Sequence, residues 1–208
     1  MPMLIELPYI RERAVEYALR WALSRNPLFP DFAGIGGDCT NFVSQAILAG
    51  SCVMNDTLDF GWYYFSPENR APAWTGVQFF YNFITGNPEY LRENGGEGQF
   101  GAEAPTTMIE PGDVVQLANE QGTYYHTLMI TGREGDDFLV SAHTDDARNR
   151  PLINLPLRDR SFLAHPRYAL ATRKRPLLPP TARRNRLSPA KLRCRRHFAS
   201  TAKRGTVI

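Results

Sequence analysis

Lysine is missing from the first 172 residues of this 208-residue chain, and aspartate and glutamate are missing from the last 36. The formal net charge of +3 therefore describes neither part. Residues 1–172 hold 12 arginines against all 21 carboxylates, a balance of −9, whereas residues 173–208 hold 12 basic residues and no acid, a balance of +12. Any nucleic-acid or anionic-polymer partner inferred from basic charge is confined to that last segment. Cysteine is also scarce. Three residues, Cys39, Cys52 and Cys194, are too few and too unevenly spaced for a disulfide scaffold or a four-thiolate zinc site. No apolar run approaches the roughly 20 residues of a membrane span. Glu6 and Glu12 interrupt the stretch where a signal peptide needs its apolar core, which predicts a cytoplasmic chain by default.

The rest of the composition is that of an ordinary globular protein, 43% hydrophobic and 22% charged. At roughly 150 residues per domain, the length fits one domain and an extension. A first helix is predicted from about Tyr9 to Ser24, where Ile10, Ala14, Tyr17, Ala18 and Trp21 recur at helical spacing and Asn26-Pro27 ends the pattern. A Gly-rich turn at 34–37 leads through Asp38 into a second helix with Phe42, Val43, Ala46 and Ile47 on its apolar face, closed by Gly50. Residues 52–73 read as a long aromatic loop, 75–85 as a third helix, and 86–109, rich in Gly and Pro, as a surface loop. From Val114 the pattern turns to strands: Val114–Leu117, Tyr124–Thr131, Phe138–His143 and Leu152–Leu157, with a last one at Tyr168–Thr172. Helices followed by an antiparallel sheet predict an α+β fold for residues 1–172, and the tail 173–208 is expected to be disordered with no specific role.

Cys39 stands out because it falls at the first turn of a helix, where free N–H groups and the helix dipole favour a thiolate and can hold an oxyanion. The expected base is His126, at the start of an otherwise apolar strand. If the strands holding His126 and His143 pair as a hairpin, both histidines come to one end of the sheet, giving Cys39 as nucleophile, His126 as general base and His143 as its orienting partner. Asp145, Asp146 or Asn149 could orient His126 instead. Asp38 reads as a helix N-cap, and Asn41, Gln45 and Asp145 join it as candidates for substrate or oxyanion contact. Cys52 and Cys194 read as a packed thiol and a tail thiol. Trp62, Tyr63, Tyr64 and Trp74 fit either a core or a substrate cleft. His126, His143, Asp145 and Asp146 match no ligand spacing, so no metal is expected.

Together these stretches resemble a known family. GlyGlyAspCysThrAsnPheValSerGln at 36–45, the preceding helix ending in AsnPro, ProGlyAspValValGln at 111–116, TyrTyrHisThr at 124–127 and AlaHisThrAspAsp at 142–146 look like the bacterial putative amidase domain family. That family is similar in turn to papain-like peptidases and amidases of the NlpC and CHAP types. The resemblance implies a papain-like fold over roughly Tyr9–Thr172, the roles given to Cys39, His126 and His143, no cofactor, and a peptide or peptidoglycan-type amide as substrate. Relation to wall-acting enzymes would place the chain outside the cytoplasm. Asn41 stands where NlpC relatives carry a small Gly, and no glutamine precedes the cysteine as it does in papain. An acyltransferase using the same triad is the nearest alternative. An inactive binding module working through the basic tail is the alternative from another class.

Overall fold

The structure is a computed structural model that describes residues 4–86, 98–155, 159–164 and 168–172. The tail at 173–208 with Cys194, and residues 87–97 of the Gly-rich loop at 86–109, lie outside the described residues. In chain order the elements are β1 (Leu4–Pro8), α1 (Arg11–Trp21), α2 (Cys39–Ser51), α3 (Pro72–Thr75), α4 (Val77–Ile84), β2 (Ala102–Glu103), β3 (Val114–Ala118), β4 (Tyr124–Glu134), β5 (Asp137–Ala142), β6 (Ala147–Pro151), β7 (Asp159–Ala164) and β8 (Tyr168–Thr172). The main sheet has the order β2-β7-β3-β4-β5-β6, with β3 to β6 as successive antiparallel neighbours, and β1 pairs with β8 in a separate ribbon. The architecture is α+β.

Helix α2 is the centre of the molecule. All its residues except Ala49 are buried, as expected of a helix whose polar residues are few and short. Its Phe42, Val43, Ala46 and Ile47 pack with Ala14 and Ala18 of α1, Trp62, Trp74, Phe80, and Val114 and Met129 of the sheet. Each fully buried Phe or Ile contributes about 1.5–3 kcal/mol. Strand alternation then divides the sheet. Val114 and Met129 face the helices, whereas Val115, Leu117, Leu128, Ile130, Phe138, Val140 and Leu152 form a second cluster on the other face. The aromatics Trp62, Tyr63, Tyr64 and Trp74 belong to the first cluster and are core.

Several boundaries differ from those expected. The third helix, expected at 75–85, is α4, and a short helix not expected, α3, precedes it, separated from it by an extended Gly76 (φ −98°, ψ 125°). Leu152–Asn154 is a 3-10 turn, and the strand lies just before it, in the polar AlaArgAsnArgPro of β6. Gly50 does not end α2. The helix runs to Ser51, and Cys52 takes the left-handed position (φ 57°), donating its N–H to the Leu48 carbonyl at 2.8 Å.

Gly50 is needed for a different reason. A Cβ there would lie 2.5 Å from the Tyr9 ring and 3.1 Å from the Ile10 carbonyl oxygen. In a free helix, Gly→Ala gains up to about 1 kcal/mol, but overpacking of this kind costs about 1–3 kcal/mol. Gly50→Ala is therefore expected to destabilise the protein by about 1–2 kcal/mol in urea unfolding; a stabilised variant would show that Tyr9 is not clamped as described.

Candidate active site

Every element around the start of α2 is tied to Asp38. This residue occupies the N-cap position, yet its carboxylate caps no helix N–H. One oxygen, Oδ1, accepts the Phe32 N–H at 3.0 Å and the Asn41 side-chain amide at 2.8 Å. The other, Oδ2, meets His143 Nδ1 at 2.6 Å, with Arg25 Nε at 3.6 Å. His143 Nε2 donates to the Trp21 carbonyl at 2.8 Å. Both ring nitrogens are thus engaged. The ring lies 4.2 Å, centroid to centroid, from Phe42. Asp38 and His143 are 1% and 2% exposed.

Arg25 extends the network, reaching Asp31 at 3.2 Å and gripping Asp146 through both terminal nitrogens at 2.9 and 3.0 Å. Thr144 accepts the Asp38 N–H at 2.8 Å, and its Oγ1 would lie 3.2 Å from a Cβ on Gly37, whose φ is +111°. The glycine turn is therefore required both by its backbone and by the close approach of Thr144.

This network changes the roles expected for four residues. His143 is held by Asp38 and Trp21, so it offers no free nitrogen to His126. Asp38 is buried and turned away from the helix amides. Asn41 is fully buried, donating to Asp38 and to the Pro30 carbonyl (3.1 Å) and accepting from Trp74 Nε1 (2.9 Å). Gln45 accepts from the Tyr17 hydroxyl at 2.6 Å, which in turn accepts from Asn26 at 2.7 Å. These contacts make Asp38, Asn41 and Gln45 parts of the frame rather than donors facing a substrate. In particular, an asparagine at 41 is explained by its two-sided bonding between Asp38 and Trp74.

Because Asp38 leaves the first-turn amides uncommitted, they serve the sulfur. Cys39 is 5% exposed, and burial pushes its thiol above the usual range. Acting against burial are the backbone N–H of Thr127, the hydroxyl and N–H of Thr40, and the N–H of Cys39 itself. β5 pairs with β4 only as far as Met129↔Ser141, so Thr127 lies on a stretch of β4 with no β5 partner. The edge of β4 beyond Met129 is thereby open to α2. Neighbouring His126 is partly buried, and burial pulls its pKa down, opposed by the negative charge of Asp145. Asp145 is exposed and paired with Arg150 at 2.7 Å, and the pairing holds its carboxyl below the usual range. Among the described residues no hydrogen bond joins Cys39 to His126. Cys52 is disulfide-bonded, and Cys39 is the free thiol among the described cysteines. No group of three potential metal ligands gathers among the described residues, and none of their helices is long and apolar enough to cross a membrane. A groove of about 810 Å³, lined by Arg11, Glu12, Val15, Leu19, Glu110 and Arg148, follows α1 and does not include Cys39.

The fold and this site define an α+β protein with a free cysteine, Cys39, seated among backbone amides at the start of a central helix. Residues 8–162 match the putative amidase domain family, and the chain belongs to that family. It is also similar to an uncharacterized protein, YhbB, of Bacillus subtilis, 30% identical over 146 residues, which are 68% of this chain. The match takes in 43% of that relative's length, so the chain spans less than half of it. No solved structure matches.

Residue types alone did not single out Thr40, Thr127, Arg25 or Thr144. The available signal was position: a hydroxyl follows both Cys39 and His126, and Thr144 follows His143.

Two outcomes are expected. Asp38→Ala and His143→Ala should each cost about 3–5 kcal/mol, as removal of one partner from a buried pair does. In urea unfolding the double variant should lose far less than the sum, and additive losses would contradict the pairing. In addition, with the thiol raised and His126 lowered, both groups are neutral at pH 7. Alkylation of Cys39 by iodoacetamide should therefore not plateau near pH 6, but rise past the ordinary thiol range of about 8.5. An acid plateau would signal a standing thiolate–imidazolium pair.

Proposed function

We propose that the protein is a cysteine amidase of papain-like type, with Cys39 as nucleophile and His126 as general base. The observation that carries this reading is the seat of the Cys39 sulfur, in the first turn of α2 and against the Thr127 amide, one residue from His126. Membership of the putative amidase domain family supports the reaction class.

Neutral His126 accepts the thiol proton as Sγ bonds to the amide carbonyl carbon, and the carbonyl oxygen takes the displaced electron pair. The first-turn amides of Cys39 and Thr40 supply hydrogen bonds for that oxyanion. The C–N bond then breaks, the amine leaves with the proton from His126, and a thioester remains. Water, deprotonated by His126, hydrolyses it. Asp145 is placed to favour the transient imidazolium, because its charge already acts on His126. His143 acts through Asp38 on the position of the helix start. The substrate class proposed is a peptide amide, with peptidoglycan stem peptides as the first to be tried.

Hydrolysis of defined peptides and peptidoglycan fragments tests the reading. Cys39→Ala should lose turnover by at least about three orders of magnitude, as nucleophile removal does, and His126→Ala should lose it comparably. Full activity in Cys39→Ala would overturn the proposal. Product formed only when an amine acceptor is added would assign the same site to acyl transfer.

A further inference from the structure

Gln116 is the one polar side chain in β3, ValValGlnLeuAla, and it is completely buried. Its Nε2 donates to the Val77 carbonyl at 3.0 Å and to Thr127 Oγ1 at 3.0 Å, while its Oε1 is buried without a partner. The orientation is not arbitrary. A carbonyl only accepts, so the Val77 oxygen requires the nitrogen of the amide to face it, and Oε1 is left on the other side. An unsatisfied buried oxygen costs about 1–3 kcal/mol, more than a packing role for this residue would justify.

The consequence runs along a line of hydroxyls. Thr127 Oγ1 accepts a hydrogen bond from Gln116 Nε2, which leaves its own O–H to donate to Thr40 Oγ1 at 3.0 Å. Thr40, supplied in that way, is free to donate to Cys39 Sγ at 3.9 Å. This last contact is the long one, as suits a neutral thiol, which accepts weakly; a thiolate accepts strongly and draws the donor in. All four residues are buried.

We propose that Gln116, Thr127 and Thr40 form a one-way donor relay that ends on the Cys39 sulfur and holds its anionic form during the reaction. The three are positioning residues: Thr40 touches the sulfur, Thr127 orients Thr40, and Gln116 orients Thr127. The relay runs through the protein interior, from β3 through β4 to the first turn of α2. It deepens the assignment of Cys39 as nucleophile and rests on it.

The test reads the sulfur directly, as the pH of half-maximal iodoacetamide alkylation of the full chain, so it does not require turnover. The charged and titratable groups around the turn, Asp38, Arg25 and His143 on one side and His126 with Asp145 on the other, stay unchanged throughout. Thr40→Val should raise the midpoint by about one pH unit, the scale of one lost hydrogen bond to a charged sulfur, and Thr40→Ser should restore it. Thr127→Val and Gln116→Leu should raise it by less.

Gln116→Leu is the decisive variant if Thr40→Val does not fold. It removes the unsatisfied oxygen together with the bonds to Val77 and Thr127, so thermal unfolding is measured alongside, and in the folded variant the midpoint should still rise. An unchanged midpoint in folded Gln116→Leu or Thr40→Val would overturn the relay. Loss of the relay effect with hydrolysis still dependent on Cys39 would refute the relay alone, whereas a relay intact in a protein whose hydrolysis ignores Cys39 would refute only the amidase assignment.

Discussion

The start of α2 depends on one contact, the 2.6 Å approach of His143 Nδ1 to the Asp38 carboxylate. It joins three parts of the chain that are distant in sequence. His143 comes from the end of the β4–β5 hairpin, Asp38 from the glycine turn, and the Trp21 carbonyl that receives the other ring nitrogen from the end of α1. A buried polar contact of this kind is weak evidence for stability, since desolvation offsets much of the attraction. Its value here is geometric. With the Asp38 carboxylate committed to His143, Asn41 and the Phe32 amide, the first-turn N–H groups of α2 remain unclaimed. An ordinary N-cap aspartate would have used one of them.

What those amides gain is the sulfur. Burial and donor contact oppose each other at Cys39, and burial dominates at rest, raising the thiol. This suits a site in which the base is also neutral. In the proposed mechanism the proton moves to His126 only as the carbonyl carbon arrives, and the donors already in place receive the charge then. That mechanism differs from a resting thiolate–imidazolium pair in keeping the thiol neutral until a substrate arrives.

The α+β order and the placement of Cys39 at a helix start were legible because both rest on local signals: helical recurrence in Ala14, Ala18, Phe42 and Ile47, and the glycine turn before Asp38. Elements decided by tertiary contact were not legible. Gly50 looked like a terminator and is instead a space for Tyr9. β6 was hidden because Arg148, Asn149 and Arg150 carry no apolar alternation, and the sheet edge recruits their backbone. His143 was recognisable as a polar residue at a strand end, but its partner was not, since Asp38 is 105 residues away and belongs to a different element. The same holds for Gln116 and Thr127, whose common orientation follows from the register Gln116↔Thr127 in the β3–β4 pair.

The central claim is that the Cys39 sulfur, held in the first turn of α2, takes the acyl group of an amide. Acid-quenched intact-mass measurement during turnover of a peptide amide or its activated ester tests this most directly. The account predicts an acyl adduct that maps to the peptide containing Cys39 and decays as product forms. Steady hydrolysis with no adduct on Cys39, or with the adduct on another residue, would contradict it.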